Sequence, residues 1–165
     1  MCGIVAAASN RNVVPILLDG LTRLEYRGYD SAGIALADNN KVLRIRKQGK
    51  VAELHKAIKK QQNFKSSTGV AHTRWATHGE PSEINAHPHT SVDDYSNNEI
   101  ALVHNGIIEN FADIRENLTA KGYIFSSKTD SEVIVHLIHF YRKNHDLIGA
   151  VSRATNDLIG DFAIT

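Results

Sequence analysis

Cys2 is the only cysteine of the chain and stands directly after the initiator methionine. Its small side chain permits removal of Met1, after which the residue would carry a thiol and a free α-amine together. Such an amine has a reference pKa of about 7.7–8.0 and the thiol about 8.5, so near neutrality part of the amine is unprotonated a few bonds from the sulfur. One residue then supplies both nucleophile and base, as an N-terminal nucleophile must. Gly3 leaves room for a substrate to approach. The plainer alternative is a small buried hydrophobe.

Attack on an amide also needs donors for the oxyanion of the tetrahedral intermediate. The Asn105 side-chain amide beside the Gly106 N–H could form that pair, although Asn-Gly is equally ordinary turn chemistry. Arg74, at a strand end, could take a carboxylate bidentately. Asp130 could take an ammonium group, but a helix start also favours an acid for its own sake. Together the two would suit the zwitterionic end of a free amino acid. Arg27 could assist near the thiol, or be a loop arginine salt-bridged on the surface.

His72, His78, His87, His89 and His104 raise a metal reading. No H-E-x-x-H pattern is present and one cysteine cannot build a thiolate zinc site, so neither metal nor cofactor is expected. The basic run from Arg44 to Lys50, with Lys59 and Lys60, reads as a solvated hairpin and helix face, since no aromatics interleave it.

These residues must be positioned by recognisable elements. Gly3–Ala8 reads as a buried strand. Val14, Leu17, Leu18, Leu21 and Leu24 lie at helical spacing behind an Asn12 N-cap, with Pro15 tolerated in the first turn. Tyr26 to Ser31 reads as a loop. Strands at 32–37 and 42–47 flank an Asp38-Asn39-Asn40 turn, which favours antiparallel pairing. Val51, Leu54, His55 and Ile58 mark an amphipathic helix. A strand at 68–74 is followed by an irregular stretch from Trp75 to His89 and a further strand at 100–104. Asn110 should cap a helix ending before Gly122. Tyr123–Phe125 is strand-like, and Thr129-Asp130-Ser131-Glu132 matches a capping box opening a helix through Tyr141. One more helix carries Leu147, Val151 and Ala154. A strand entered near Phe162 looks unfinished, so the chain is expected to be a C-terminally incomplete fragment. The pattern is α+β, in one domain over 1–165.

The 165 residues, 42% apolar and 22% charged, suit a globular domain. The net charge of +1 argues against nucleic-acid binding as the main role. No apolar run is long enough to span a bilayer, so no membrane is expected, and the start lacks the basic region of a secretory signal. A lone cysteine fits a reducing compartment, and the expected location is cytoplasmic.

Five segments carry a resemblance. Cys2-Gly3-Ile4-Val5, Leu24-Glu25-Tyr26-Arg27-Gly28-Tyr29-Asp30-Ser31-Ala32-Gly33, His72-Thr73-Arg74-Trp75-Ala76-Thr77-His78-Gly79-Glu80-Pro81-Ser82, Asn85-Ala86-His87-Pro88-His89 and His104-Asn105-Gly106-Ile107-Ile108-Glu109-Asn110 resemble the glutaminase domain of the glucosamine-6-phosphate synthases, within the class II glutamine amidotransferases. The likeness runs in order along essentially the whole chain. It implies a four-layer αββα N-terminal nucleophile (Ntn) hydrolase sandwich with antiparallel sheets, and hydrolysis of L-glutamine through a Cys2 thioester with Asn105 and Gly106 as the oxyanion hole. Arg74 would bind the glutamine α-carboxylate and Asp130 its α-ammonium. Trp75, Thr77 and His78 would close over glutamine. Ammonia would aminate fructose-6-phosphate in sugar-isomerase domains that this chain lacks, and the full-length protein would be a homo-oligomer. A catalytically silent glutamine-binding regulatory domain, and an amidotransferase with another acceptor, stay open at this point.

Overall fold

The computed structural model describes residues 2–39, 41–76, 79–91 and 99–165. Met1, Asn40, Thr77 and His78 fall outside them. Four strands form an antiparallel sheet in the order β1-β4-β2-β3, from β1 (Gly3–Ala8), β2 (Ser31–Asp38), β3 (Lys41–Gln48) and β4 (Thr68–Arg74). Its outer face is covered by α1 (Val14–Leu24) and α2 (Val51–Lys59), which both pack on it. The reason is periodicity: Val14, Leu17, Leu18 and Leu21 make one buried stripe on α1, and Val51, Leu54 and Ile58 make another on α2. They meet Ala32, Ile34, Leu36 and Ala71 in a first apolar core.

The second half is built from short strands. β5 (His89–Ser91) pairs with β6 (Ile100–Leu102), and β7 (His104–Gly106) pairs with β8 (Phe162–Ile164), both antiparallel. Three helices, α3 (Phe111–Ala120), α4 (Glu132–Arg142) and α5 (Leu147–Asp157), enclose a second core with Leu102, Ile108, Val133, Ile134, Leu137, Ala150 and Ala154. The layers therefore run helix, sheet, sheet, helix, which is the αββα sandwich expected.

Between the sheets the layer is polar. Residues two apart share a strand face. On β4, Ala71 therefore faces the first core while His72 and Arg74, 0% and 4% exposed, face the second sheet. On β3, Leu43 and Ile45 face the helices. Arg44 and Arg46 take the opposite face and donate to backbone carbonyls: Arg44 to Pro88 at 3.3 Å, Arg46 to Ile84 at 3.1 Å and to Ala86 at 2.9 Å. The basic run is thus not simply a solvated face. Two of its arginines fasten the 84–88 loop to the sheet.

Several local expectations are corrected. The 100–104 strand is two strands with different partners, joined at Val103, which exchanges both backbone bonds with Thr165. Residues 25–27 form one 3₁₀ turn that overlaps the start of the loop expected from Tyr26. Tyr123–Phe125 is not a strand: the Tyr123 N–H closes α3 onto the Leu118 carbonyl, and the three residues have no ladder partner among those described. Asn12 accepts the Val14 N–H at 3.2 Å from one position before the N-cap. Asn110 does not cap with its side chain, which spans instead to the Asp157 carbonyl and the Ile159 N–H. The capping box is absent. Glu132 is the first residue of α4, and its buried carboxylate reaches back to the N–H and hydroxyl groups of Ser126 and Ser127 at 2.7–2.9 Å.

Candidate active site

Cys2 lies at the start of β1, where register places Gly3 opposite Thr73 and β4 ends at Arg74. The Gly3 N–H donates to the Thr73 hydroxyl at 3.2 Å, which seats the thiol beside the β4 terminus. There the Trp75 N–H lies 3.4 Å from Cys2 Sγ, and the thiol lies 3.8 Å from the Trp75 carbonyl. The following turn is held by Asp30, whose Oδ2 accepts the Ala76 N–H at 2.8 Å. Trp75 is 45% exposed and meets Tyr29 edge to face at 5.6 Å.

Asn105 and Gly106 arrive from β7. Asn105 Nδ2 lies 3.5 Å from the Cys2 carbonyl. Antiparallel ladders bond alternate residues. Val103 exchanges both bonds with Thr165, and the Ile107 N–H donates to Asp161, so the intervening Gly106 N–H points away from β8. Gly106 has φ +143°, and a Cβ there would lie 2.1 Å from the Asp161 carbonyl oxygen. Glycine is required at that position, and Gly106 lines the same cavity as Cys2.

That cavity, about 20 Å³, is bounded by Cys2, Arg74, Trp75, His87, His104, Gly106, Thr129, Asp130 and Ser131. A space of that size holds about one water, so a substrate must displace a wall. Arg74 donates to the Gly79 carbonyl at 3.1 Å. Burial lowers its pKa, opposed by Cys2, Asp130 and Asp30, whose negative potentials act together on this guanidinium. Asp130 precedes the α4 N-cap, Ser131, rather than sitting in the first turn, and its Oδ2 accepts the Ile108 N–H at 2.9 Å. The sequence candidates Cys2, Arg74, Trp75, Gly106 and Asp130 therefore share one cavity, with Asn105 adjoining it. Arg27, half-buried on the 3₁₀ turn, does not line it. Thr77 and His78 lie outside the described residues.

Beneath the cavity sits a histidine layer that sequence reasoning took for loop and core polar residues. His72 and His87 rings are 4.1 Å apart, and His87 and His89 4.7 Å apart. His72 Nε2 is 2.9 Å from the His104 carbonyl, His104 Nδ1 is 2.7 Å from Ser131 Oγ, and His89 Nε2 is 3.0 Å from Thr129 Oγ1. Desolvation is the largest influence on each ring, driving His72 and His89 down to about 3 and lowering His87 and His104. Glu132 has a carboxyl that burial pushes up, but its serine donors outweigh that and hold it well below the usual range. His136, with Nε2 3.7 Å from Glu132 Oε1, lowers it alongside the serines. Among the described residues no three His, Cys, Asp or Glu side chains are grouped to hold a metal ion.

Comparison with known proteins bears on this geometry. A family model described as a glutamine amidotransferase domain matches residues 72–165. Glutamine--fructose-6-phosphate aminotransferase [isomerizing] of Acinetobacter baylyi is 51% identical over 165 residues, covering 99% of this chain and 26% of the relative. The protein of the same name from Idiomarina loihiensis is 57% identical over 164 residues, 98% of this chain and 26% of the relative. The chain spans about a quarter of the length of the curated relatives it matches. Among solved structures, glutamine phosphoribosylpyrophosphate amidotransferase from B. subtilis, complexed with ADP and GMP, superposes with TM-score 0.83 at 28% identity, over 99% of this chain and 34% of that one. A glutamine aminotransferase class-II domain protein from Silicibacter pomeroyi shares the fold, with TM-score 0.60 at 16% identity over 100% of this chain and 72% of that one.

Proposed function

The chain belongs to the glutamine amidotransferase domain family, and on that premise we propose that it hydrolyses the side-chain amide of L-glutamine through a Cys2 thioester, releasing glutamate and ammonia. The observation that carries the reading is the convergence of Cys2, Gly106, Arg74 and Asp130 on one cavity. Arg74 takes the α-carboxylate and Asp130 the α-ammonium, which fixes the amide end toward the thiol. With Met1 removed, the Cys2 amine accepts the Sγ proton as sulfur attacks the amide carbon. Asn105 Nδ2 and the Gly106 N–H take the oxyanion, and the protonated amine gives its proton to the departing ammonia. Water then attacks the thioester, with the same amine as base, to release glutamate. Arg27 adds positive potential near the thiol, and Trp75, Thr77 and His78 close over the substrate.

The relatives' names support a longer reading. In a full-length protein, a homo-oligomer in the cytoplasm, the ammonia aminates fructose-6-phosphate to give glucosamine-6-phosphate. Two measurements test the proposal: intact mass of the native protein, and glutamate release from glutamine. Loss of Met1 with glutamate production is the expected result. Retained Met1 with glutamine binding but no turnover would establish the silent regulatory domain instead. Turnover with no glucosamine-6-phosphate formed from fructose-6-phosphate would leave an amidotransferase with another acceptor.

A further inference from the structure

The geometry points to Asn85 as a positioning residue that braces the two halves of the amino-acid clamp against each other, an inference that rests on the glutaminase reading. Asn85 is 1% exposed and is not among the residues that bound the cavity. Its Nδ2 donates to the Glu80 carbonyl at 3.0 Å, and its Oδ1 accepts the Lys128 N–H at 2.9 Å. The two ends of one amide plane thus hold two separate segments.

Each segment leads directly to a charged group of the site. Gly79, at φ +78°, packs so closely that a Cβ there would lie 2.9 Å from Asn85 Nδ2. The Gly79 carbonyl is the acceptor for Arg74. On the other side, Lys128 stands two residues before Asp130, and Thr129 between them is tied to Ser127 and His89. The path from carboxylate binder to ammonium binder runs Arg74, Gly79-Glu80, Asn85, Lys128, Asp130. The strut is itself held at both shoulders, because Arg46 donates to the carbonyls of Ile84 and Ala86 on either side of it. A side-chain amide suits this place because it presents a donor and an acceptor together. A carboxylate there would accept only, and would face the Glu80 carbonyl with a second oxygen. Asn85 therefore sets the spacing of Arg74 and Asp130, and with it the preference for an amide that carries both α-groups.

The test uses the full-length protein with Asn85→Asp and Asn85→Ala, assayed on L-glutamine and on glutaramate, the same amide without the α-ammonium group. The expected result is a KM for glutamine raised about tenfold, the size of one buried hydrogen bond lost, with kcat within about twofold. Discrimination against glutaramate falls by the same factor. Labelling of Cys2 by iodoacetamide, which uses no clamp, stays within about twofold of wild type. Unchanged KM and discrimination, or equal loss toward both amides and toward iodoacetamide, would overturn the strut. A measurement on the wild-type protein covers variants that do not fold. L-glutamate should slow amide exchange at residues 79–80 and 128–130 together, and protection of one segment without the other overturns the inference. Wild-type protein that neither turns over glutamine nor responds to glutamate overturns the glutaminase reading itself. Wild-type turnover with indifferent Asn85 variants overturns the strut alone.

Discussion

Asp130 accepts the backbone N–H of Ile108 at 2.9 Å, so the acid proposed to take the substrate ammonium also anchors the chain two residues beyond β7. The two functions use different properties. Bonding to Ile108 needs an acceptor oxygen, whereas attraction of an ammonium needs the charge. Asp130→Asn keeps an oxygen for Ile108 and removes the charge. We expect KM for glutamine to rise about ten- to a hundredfold, matching a charge-assisted bond of about 1.5–3 kcal/mol. Thermal midpoints should stay close to wild type. A lowered midpoint with unchanged kcat/KM would return Asp130 to a helix-start role, which its place before the N-cap argues against.

Cys2→Ala should abolish glutamate release and leave the fold intact. The thiol is half-buried and belongs to neither apolar core, so its loss removes little packing. Steady-state assay and circular dichroism of the variant check both halves. Glutamate release at the wild-type rate would mean the nucleophile is elsewhere.

Gly106→Ala separates backbone geometry from side-chain chemistry. The added Cβ would meet the Asp161 carbonyl at 2.1 Å, and φ +143° is a region that alanine avoids. β7 must then shift from β8, carrying the Gly106 N–H with it. We expect a stability loss of about 1–3 kcal/mol in urea unfolding and a fall in kcat of about a hundredfold or more. A variant with wild-type kcat would show that the Gly106 N–H takes no part.

The residues that meet at the cavity were legible because their types are scarce and their positions carry chemical meaning: a cysteine after Met1, an Asn-Gly behind a strand, an arginine at a strand end. The amphipathic helices were legible because one buried face recurs at helical spacing. What escaped depends on contacts distant in sequence. Arg46 looks like any charged strand residue until β3 comes beside residues 38 and 40 positions away. Glu132 has the capping-box spacing from Thr129, yet Ser126 and Ser127 offer four donors and win its carboxylate. Tyr123–Phe125 has strand-like composition, but Tyr123 spends its N–H on the end of α3. Asn85 read as one letter of a motif, since nothing local marks a residue that joins Glu80 to Lys128.

Glutaminase activity should survive prolonged treatment with a strong chelator. A thiolate with two oxyanion donors opens an amide without a Lewis acid. Among the described residues no three His, Cys, Asp or Glu side chains are grouped to hold a metal ion, although buried imidazoles are plentiful. Activity lost on chelation and restored by zinc would make Cys2 a ligand candidate rather than a nucleophile.

The histidine layer sets how the fold responds to acid. Unfolded, each ring takes up a proton near 6.5, while in the folded protein desolvation holds His72 and His89 at about 3 and lowers His87 and His104. Between those values the unfolded chain binds more protons, so stability is full above about pH 6.5 and falls as pH drops toward 3. Each ring that stays neutral contributes a slope of about 1.4 kcal/mol per pH unit. Glu132, held below its value of 4.5, adds a loss of the same sign once pH falls through that value. Urea midpoints measured from pH 8 to pH 4 should be level at first and then decline below pH 6.5. His89→Asn, which removes one titrating ring while keeping a side chain able to hydrogen-bond Thr129, should reduce the acid slope. A stability curve flat to pH 5 would mean that these rings accept protons in the folded state, and that the layer between the sheets is wetter than its burial implies.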